Sequence, residues 1–308
     1  CGELHAQSGI DPEYEASGVL RVALDDEEAA ALERRAAWLA DLLPGYEVAW
    51  VDAASARALV PALSREVRGA LVSPREGHLR SPQLARAYAR AASRLGCRIE
   101  TGVEVTGLHG DGERVRGVLA DGRRREADHV VLATGAWTHA ASGWGVGALP
   151  LPVEPVRGQI VSLDPAEPAT RSIVWGADAY LVPKRDGRIV VGATEERVGF
   201  DCRVTAAGVS GLLAAAPRLL PELAEATFRG AWAGLRPCTP DHLPLIGPLA
   251  DVPGLLVATG HHRSGVLLSA VTGELIRDCV LGKAGSPWLA AFDPGRFADR
   301  SGREPAPC

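Results

Sequence analysis

Apolar and polar positions recur with two different periods along the chain, and the changes of period mark its parts. Between residues 26 and 43, Ala29, Leu32, Ala36, Leu39 and Leu43 follow helical spacing, which predicts an amphipathic helix. Asp25 or Asp26 can cap it, Glu27 and Glu28 suit the positive first turn, and Pro44-Gly45 stops it. Residues 48–51 read as a short strand, 55–59 as a short helix, and 69–73 as a strand entering a turn at Pro74. Ser81 reads as an N-cap and Pro82 as the first position of a helix that runs to about Leu95, before Gly96. Residues 98–100 and 103–108 read as strands, and Asp111-Gly112 and Asp121-Gly122 are hairpin signals on either side of 114–119.

The apolar run 127–133 ends in Thr134-Gly135-Ala136-Trp137, the pattern of a buried strand entering a glycine turn. From 150 to 194 the chain changes to short strands punctuated by Pro and Gly: 158–163, 179–183 and 187–192 predict a mostly antiparallel sheet. Residues 205–220 read as a helix, 228–235 and 255–259 as strands, and 265–281 as a long helix. The tail after Pro287 reads as irregular. The result is a mixed α/β (α+β) chain: one part built of strand–glycine–helix units, another of antiparallel strands.

Composition narrows the function classes. The chain has 308 residues, 46% hydrophobic and 23% charged, with a formal net charge of -5. Such a balance gives no reason to expect a nucleic-acid partner. No apolar run is long enough to span a bilayer, and no secretory pattern opens the chain. The 6 cysteines are scattered without a C-x-x-C pair, so no disulfide framework or zinc site is expected, and a reducing cytoplasm is the default location. The pair His261-His262 has no accompanying carboxylate or cysteine pattern, and no metal site is assigned.

Candidate chemistry lies in two arginine-bearing turns. Trp232-Ala233-Gly234-Leu235-Arg236-Pro237 ends an apolar strand, so rigid backbone aims Arg236. Gly260-His261-His262-Arg263-Ser264-Gly265-Val266 opens a helix, whose N-terminus favours negative charge. An arginine fork fits a carboxylate, and glycine lets a ligand approach the backbone. An arginine in a turn can equally be solvated surface. Tyr180, in Ala179-Tyr180-Leu181-Val182-Pro183, offers a hydroxyl or serves as a packing residue.

These turns, together with Asp241-His242-Leu243-Pro244-Leu245-Ile246-Gly247, resemble the glycine oxidase family. These amino-acid-oxidising flavoproteins are related to D-amino-acid oxidase and sarcosine oxidase. The resemblance covers residues 2 to about 292. It implies a D-amino-acid-oxidase-like fold: a Rossmann-like FAD-binding domain, incomplete at its N-terminus, with an antiparallel substrate domain. In that scheme residues 1–80 are interleaved substrate and cap elements. Residues 81–149 and 236–292 belong to the FAD-binding domain, 150–235 to the substrate domain, and 293–308 form a tail. Arg236 and Tyr180 would hold the substrate carboxylate, and Arg263 would add positive potential. FAD would be contacted by Val105, Thr134, Gly135, Trp137, Gly260, His262, Arg263, Ser264, Gly265 and Val266. Val105 serves equally as a core residue. Asp178 falls where some family members carry histidine, which leaves an active-site role for it doubtful.

The implied reaction is oxidation of a small amino acid, glycine first, then sarcosine and small D-amino acids. Dioxygen is the acceptor, the products are an imine or 2-oxo acid, ammonia and hydrogen peroxide, and the type is that of thiamine thiazole synthesis. A homo-oligomer is expected. The family's opening strand–G-x-G-x-x-G–helix, which holds the FAD pyrophosphate, does not occur in these residues, so the first βαβ unit is expected to be absent from the sequence as given. Two other readings stay open. One is a D-amino-acid dehydrogenase or sarcosine oxidase of the same fold. The other is a cofactor-free binding module.

Overall fold

The computed structural model describes residues 1–141, 143–144, 151–283 and 285–297. These residues form two compact units. The first is Cys1–Ile99, Gly158–Glu195 and Arg203–Ala233; the second is Glu100–Arg157, Glu196–Cys202 and the chain from Gly234 onward. The family resemblance placed its first boundary at 80/81. The helix Ser81–Arg94 instead belongs to the first unit, where Arg94 Nη1 donates to the carbonyl of Gln7 on the helix Gly2–Ser8. The expected boundary at 149/150 lies outside the described residues.

An eight-stranded sheet organises the first unit, the segments 154–157 and 234–238 of two of its strands belonging to the second. Its strands lie in the order Thr227–Cys238, Glu154–Asp164, Ile189–Gly192, Tyr180–Pro183, Ile173–Trp175, Val19–Ala23, Gly69–Ser73, Ala49–Asp52. From Glu154–Asp164 to Ala49–Asp52 the pairings are antiparallel apart from the parallel step between Val19–Ala23 and Ile173–Trp175. Alternation sorts the side chains. Leu20, Val22, Val161, Leu163, Leu181, Ile189 and Val191 share one core with Leu212, Ala216 and Leu219 of the helix Ala206–Leu219. The opposite face carries Arg21, Trp175, Tyr180 and Ile160, set by the registers Arg21↔Trp175, Tyr180↔Trp175, Tyr180↔Gly192 and Gly192↔Ile160. A slip of one residue would exchange the two sets.

Local signals explain the edges of elements. Asp25 caps the helix Asp26–Leu42 by accepting from the Glu28 amide at 2.8 Å, while Glu28 accepts from the Leu24 amide. This is a capping-box-like exchange, with the Glu28 carboxylate reaching one residue before the cap. At the helix Ser81–Arg94 the cap is Arg80 rather than Ser81: its carbonyl accepts from Gln83 and Leu84, and Pro82 sits in the first turn. Gln159, fully buried, ties the sheet to Thr205, the cap of the next helix. Its Oε1 accepts from the Thr205 amide at 2.7 Å, and its own amide donates to Thr194 Oγ1.

The second unit holds two small sheets, one of Leu245–Pro248, Leu255–Thr259 and Val130–Leu132, the other of Val105–Gly110, Val115–Ala120 and Arg123–Glu126. Leu108, Val115, Val130, Leu132, Leu245, Leu255 and Val257 form its core. Residues 98–100, expected as a strand, lie outside any strand. The end of the chain is more regular than expected: Pro287–Ala291 is helical and Pro294–Phe297 a 3₁₀ turn. Ser286 caps the former. Arg296 anchors the latter by pairing with Asp241 at 2.8 Å and donating to the carbonyls of Leu243 and Pro244. Arg157, 5% exposed, is neutralised by Glu196 at 2.5 Å and Asp201 at 2.9 Å, which fixes the segment 196–202 within this unit.

His78 makes the first unit sensitive to acid. Its backbone bridges to Glu15, its Nδ1 is buried without a hydrogen-bond partner, and burial followed by the Lys184 charge pushes its pKa down to about 4. The unfolded chain takes up this proton near the ordinary value of 6.5, so it holds more protons than the fold between 6.5 and about 4. Stability therefore falls as pH drops through that window and is unaffected by His78 above it. We expect a loss of up to about 3 kcal/mol, reduced by the partial exposure of the ring. Urea unfolding of the native chain and a His78→Gln variant checks this: equal slopes against pH between about 6.5 and 4.5 would sink the assignment.

Candidate functional site

Most of the predicted cofactor residues meet at one edge of one sheet. Val130–Leu132 runs parallel to Leu255–Thr259, with Val130↔Leu255 and Leu132↔Val257 in register. Each strand leaves the sheet through a glycine turn, Gly135 at φ 55 and Gly260 at φ 75. Because the strands are parallel, both turns open at the same carboxyl end, where α/β sheets take their ligands. A side chain at Gly260 would come within 2.7 Å of Thr239 Cγ2, so space and backbone conformation both exclude one there.

Threonine hydroxyls lock the two turns together. The Gly135 carbonyl lies 2.7 Å from Thr138 Oγ1 and 3.1 Å from Thr259 Oγ1, and those two hydroxyls are 2.8 Å apart. Thr134 Oγ1 joins the cluster at 3.0 Å from Thr138. Thr138 and Thr259 are both buried. Sequence reasoning missed these two; the signal was a threonine beside each glycine turn.

The same edge receives both arginine turns. The Pro237 carbonyl accepts from the His262 amide at 2.8 Å, and Cys238 bridges to His261. The strand end bearing Arg236 is thereby stitched to the turn bearing Arg263. Arg236 is half-buried and Arg263 exposed. The helix Gly265–Val280 begins at Ser264 with no side-chain cap, so its positive end is left to the turn. Ser264 and Val266 are exposed there and Gly265 is half-buried. The neighbouring histidines diverge. His261 Nε2 sits 3.0 Å from Thr272 Oγ1, and burial holds its pKa below the ordinary value. His262, at φ 46, turns toward His242 instead.

The remaining predicted residues are spread out. Trp137 is 58% exposed, its ring 6.0 Å from Phe200. Val105 lies in the other small sheet, paired with Ala120. Tyr180 belongs to the first unit, its ring 5.0 Å from Trp175, over which the Arg21 guanidinium sits at 4.4 Å. A Cβ on Gly192 would lie 2.4 Å from the Tyr180 ring, so glycine there makes room for the tyrosine. Asp178 pairs with Arg218 at 2.7 Å. The first unit also has a half-open pocket of about 450 Å³, lined in part by Arg80, Ile160, Ser162, Lys184 and Trp232, which sequence reasoning did not anticipate. Burial, then repulsion from Arg80, lowers the Lys184 pKa to about 8.

Residues 2–279 match the family model described as FAD dependent oxidoreductase. The chain belongs to that family. It is 36% identical to glycine oxidase of Geobacillus kaustophilus over 306 residues, covering 98% of this chain and 79% of the relative. The crystal structure of that glycine oxidase superimposes with a TM-score of 0.90 at 34% identity, covering 96% of this chain and 79% of the other. Hydrogen cyanide synthase subunit HcnC of Pseudomonas aeruginosa is 36% identical over 95% of this chain and 71% of its own length. The bifunctional protein ThiO/ThiG of Synechocystis is 38% identical over 81% of this chain, which spans 38% of that longer protein. This family member is therefore an FAD-dependent oxidoreductase of the glycine oxidase type, and among its described residues no helix is long and apolar enough to cross a membrane.

The residues at the parallel edge leave room for such a cofactor. Space around the missing Cβ of Gly135 is open, the helix start at Ser264 is exposed, and Trp137 presents an uncovered indole. A G-x-G-x-x-G run does not occur in this chain.

If the threonine bonds hold the edge, Thr138→Val should destabilise the second unit by about 1–3 kcal/mol, because it leaves buried hydrogen-bonding groups unsatisfied. Denaturant unfolding measures this; an unchanged midpoint would mean that the two turns are held by other contacts.

Proposed function

We propose that this protein oxidises a small amino acid, glycine in the first place, with FAD as electron acceptor and dioxygen as final oxidant. The overall reaction is glycine, dioxygen and water to glyoxylate, ammonia and hydrogen peroxide. One observation carries the reading: the strand end bearing Arg236 is hydrogen-bonded to the turn of Gly260, Arg263 and Gly265. An anion-binding guanidinium thus stands beside the glycine turn and positive helix end that suit a flavin.

FAD, when bound, supplies the two-electron acceptor. Every other part of the proposal concerns this chain's own groups. Arg236 holds the substrate carboxylate through a charged, forked contact. Arg263 adds positive potential at the same edge. Thr134, Gly135, Gly260, Ser264, Gly265 and Val266 present backbone to the cofactor, with His262 and Trp137 beside them and Val105 at its adenine end. Tyr180 adds one hydrogen bond to the substrate, a role that rests on its family position. No side-chain acid or base is required: orientation and fixed positive charge carry the rate. Small amino acids fit this scheme best, sarcosine and small D-amino acids after glycine, and a role in thiamine thiazole synthesis is proposed from the resemblance alone.

The protein incubated with FAD and freed of excess cofactor should turn yellow and form peroxide with glycine. A colourless product would rule out an active oxidase and favour the cofactor-free binding module, and a yellow protein that reduces dyes without making peroxide would make it a dehydrogenase. In the active protein, Arg236→Leu should raise the glycine KM about 10- to 100-fold, the loss of a charged hydrogen bond of about 1.5–3 kcal/mol. An unchanged KM would overturn the carboxylate clamp. Tyr180→Phe should cost less, about 0.5–1.5 kcal/mol in kcat/KM.

A further inference from the structure

Three side chains that the proposed reaction does not need as ligands converge in the second unit. Cys238 Sγ lies 3.5 Å from His242 Nδ1, and His242 Nδ1 lies 3.4 Å from His262 Nδ1. The ligand atoms of all three fall within 4.8 Å of one another, and among the described residues this is the one such cluster of three. We propose that Cys238, His242 and His262 form a binding site for a borderline-to-soft d-block cation of the Zn²⁺ class.

Geometry and chemistry both favour that ion. A tetrahedral zinc with Zn–N of about 2.05 Å and Zn–S of about 2.3 Å sets its ligands about 3.4 Å apart for two nitrogens and about 3.5 Å for nitrogen and sulfur. The Cys238–His242 and His242–His262 separations match these edges, and the third lies within 4.8 Å. One thiolate and two imidazoles select Zn²⁺ or Cu⁺ and offer nothing to Mg²⁺ or Ca²⁺, which require oxygen. Three protein ligands leave a fourth position for water or another donor.

The backbone holds the ligands in place. Cys238 is buried at the end of its strand, bridged to His261, while His242 is exposed and gives an ion its way in. His242 and His262 both adopt left-handed conformations, at φ 59 and φ 46, uncommon for residues other than glycine. Their rings lie 5.0 Å apart. A bound ion would clip together the end of the Arg236 strand, the loop at 242 and the turn at 262. Chain order hides the site: the adjacent pair His261-His262 draws attention, yet His261 faces Thr272 and the partners of His262 come from earlier loops.

The test uses the whole chain, stripped of metal by dialysis against a chelator. Titration with Zn²⁺ against a chromophoric chelator should show one tight equivalent per chain, with excess Mg²⁺ unable to compete. Co²⁺ in place of Zn²⁺ should give a thiolate charge-transfer band with tetrahedral visible bands. Cys238→Ser should abolish the band, and His242→Asn should weaken Zn²⁺ binding at least about tenfold. Zn²⁺ should raise the Tm of the native chain and leave that of Cys238→Ser unchanged. Failure to bind an equivalent of Zn²⁺, or undiminished affinity in both variants, overturns the site. Should Cys238→Ser fail to fold, the Co²⁺ spectrum of the native chain decides, and absence of a thiolate band overturns it.

Discussion

The parallel pairing of Val130–Leu132 with Leu255–Thr259 is the constraint on which the second unit depends. It is short, yet it places two glycine turns side by side at one sheet edge. An antiparallel arrangement of the same strands would put those turns at opposite ends. The hydroxyls of Thr138 and Thr259 then close on the Gly135 carbonyl, so the edge is fixed by hydrogen bonds as well as by the ladder. Loops normally run on the surface because their backbone polar groups need partners. Here buried threonines bond the Gly135 carbonyl, and space beside Gly135 stays open while Gly260 packs against Thr239.

Everything proposed about chemistry follows from that edge. The strand ending in Arg236-Pro237 reaches it through the Pro237–His262 hydrogen bond, and the helix Gly265–Val280 starts from it. A guanidinium, a helix N-terminus and two glycine turns, that of Gly135 open, make a region of positive potential. Such a region favours a developing negative charge without any side chain that must lose or gain a proton. The histidines nearby do not contradict this. Burial holds the His261 pKa below the ordinary value, and His262 faces the Cys238 cluster.

In the first unit the equivalent constraint is alternation. One face of the eight-stranded sheet is filled by aliphatic residues against the helix Ala206–Leu219. Tyr180 therefore has to stand on the other face, in the row of Arg21 and Trp175. Gly192 completes that arrangement, since any side chain there would occupy the space of the tyrosine ring. Acid sensitivity enters through the same unit, where His78 is packed near Lys184 without a partner for Nδ1.

Local pattern was enough for the elements themselves. The capped helix at 26–42, the antiparallel strands around Tyr180, the strand–glycine turns at 134–135 and 259–260 and the long helix after Ser264 were all legible, because propensity, capping and period are properties of neighbouring residues. The two arginine-bearing turns were legible as elements for the same reason. What chain order could not convey was adjacency between distant segments. The threonine cluster joins residues more than a hundred positions apart, the Cys238–His242–His262 group needs a left-handed bend at two histidines, and the helix at 81–94 takes its unit from Arg94 reaching back to Gln7. The end of the chain gained its order from Arg296 meeting Asp241. Each of these rests on side chains brought together by packing, which a one-dimensional pattern of apolar and polar positions does not encode.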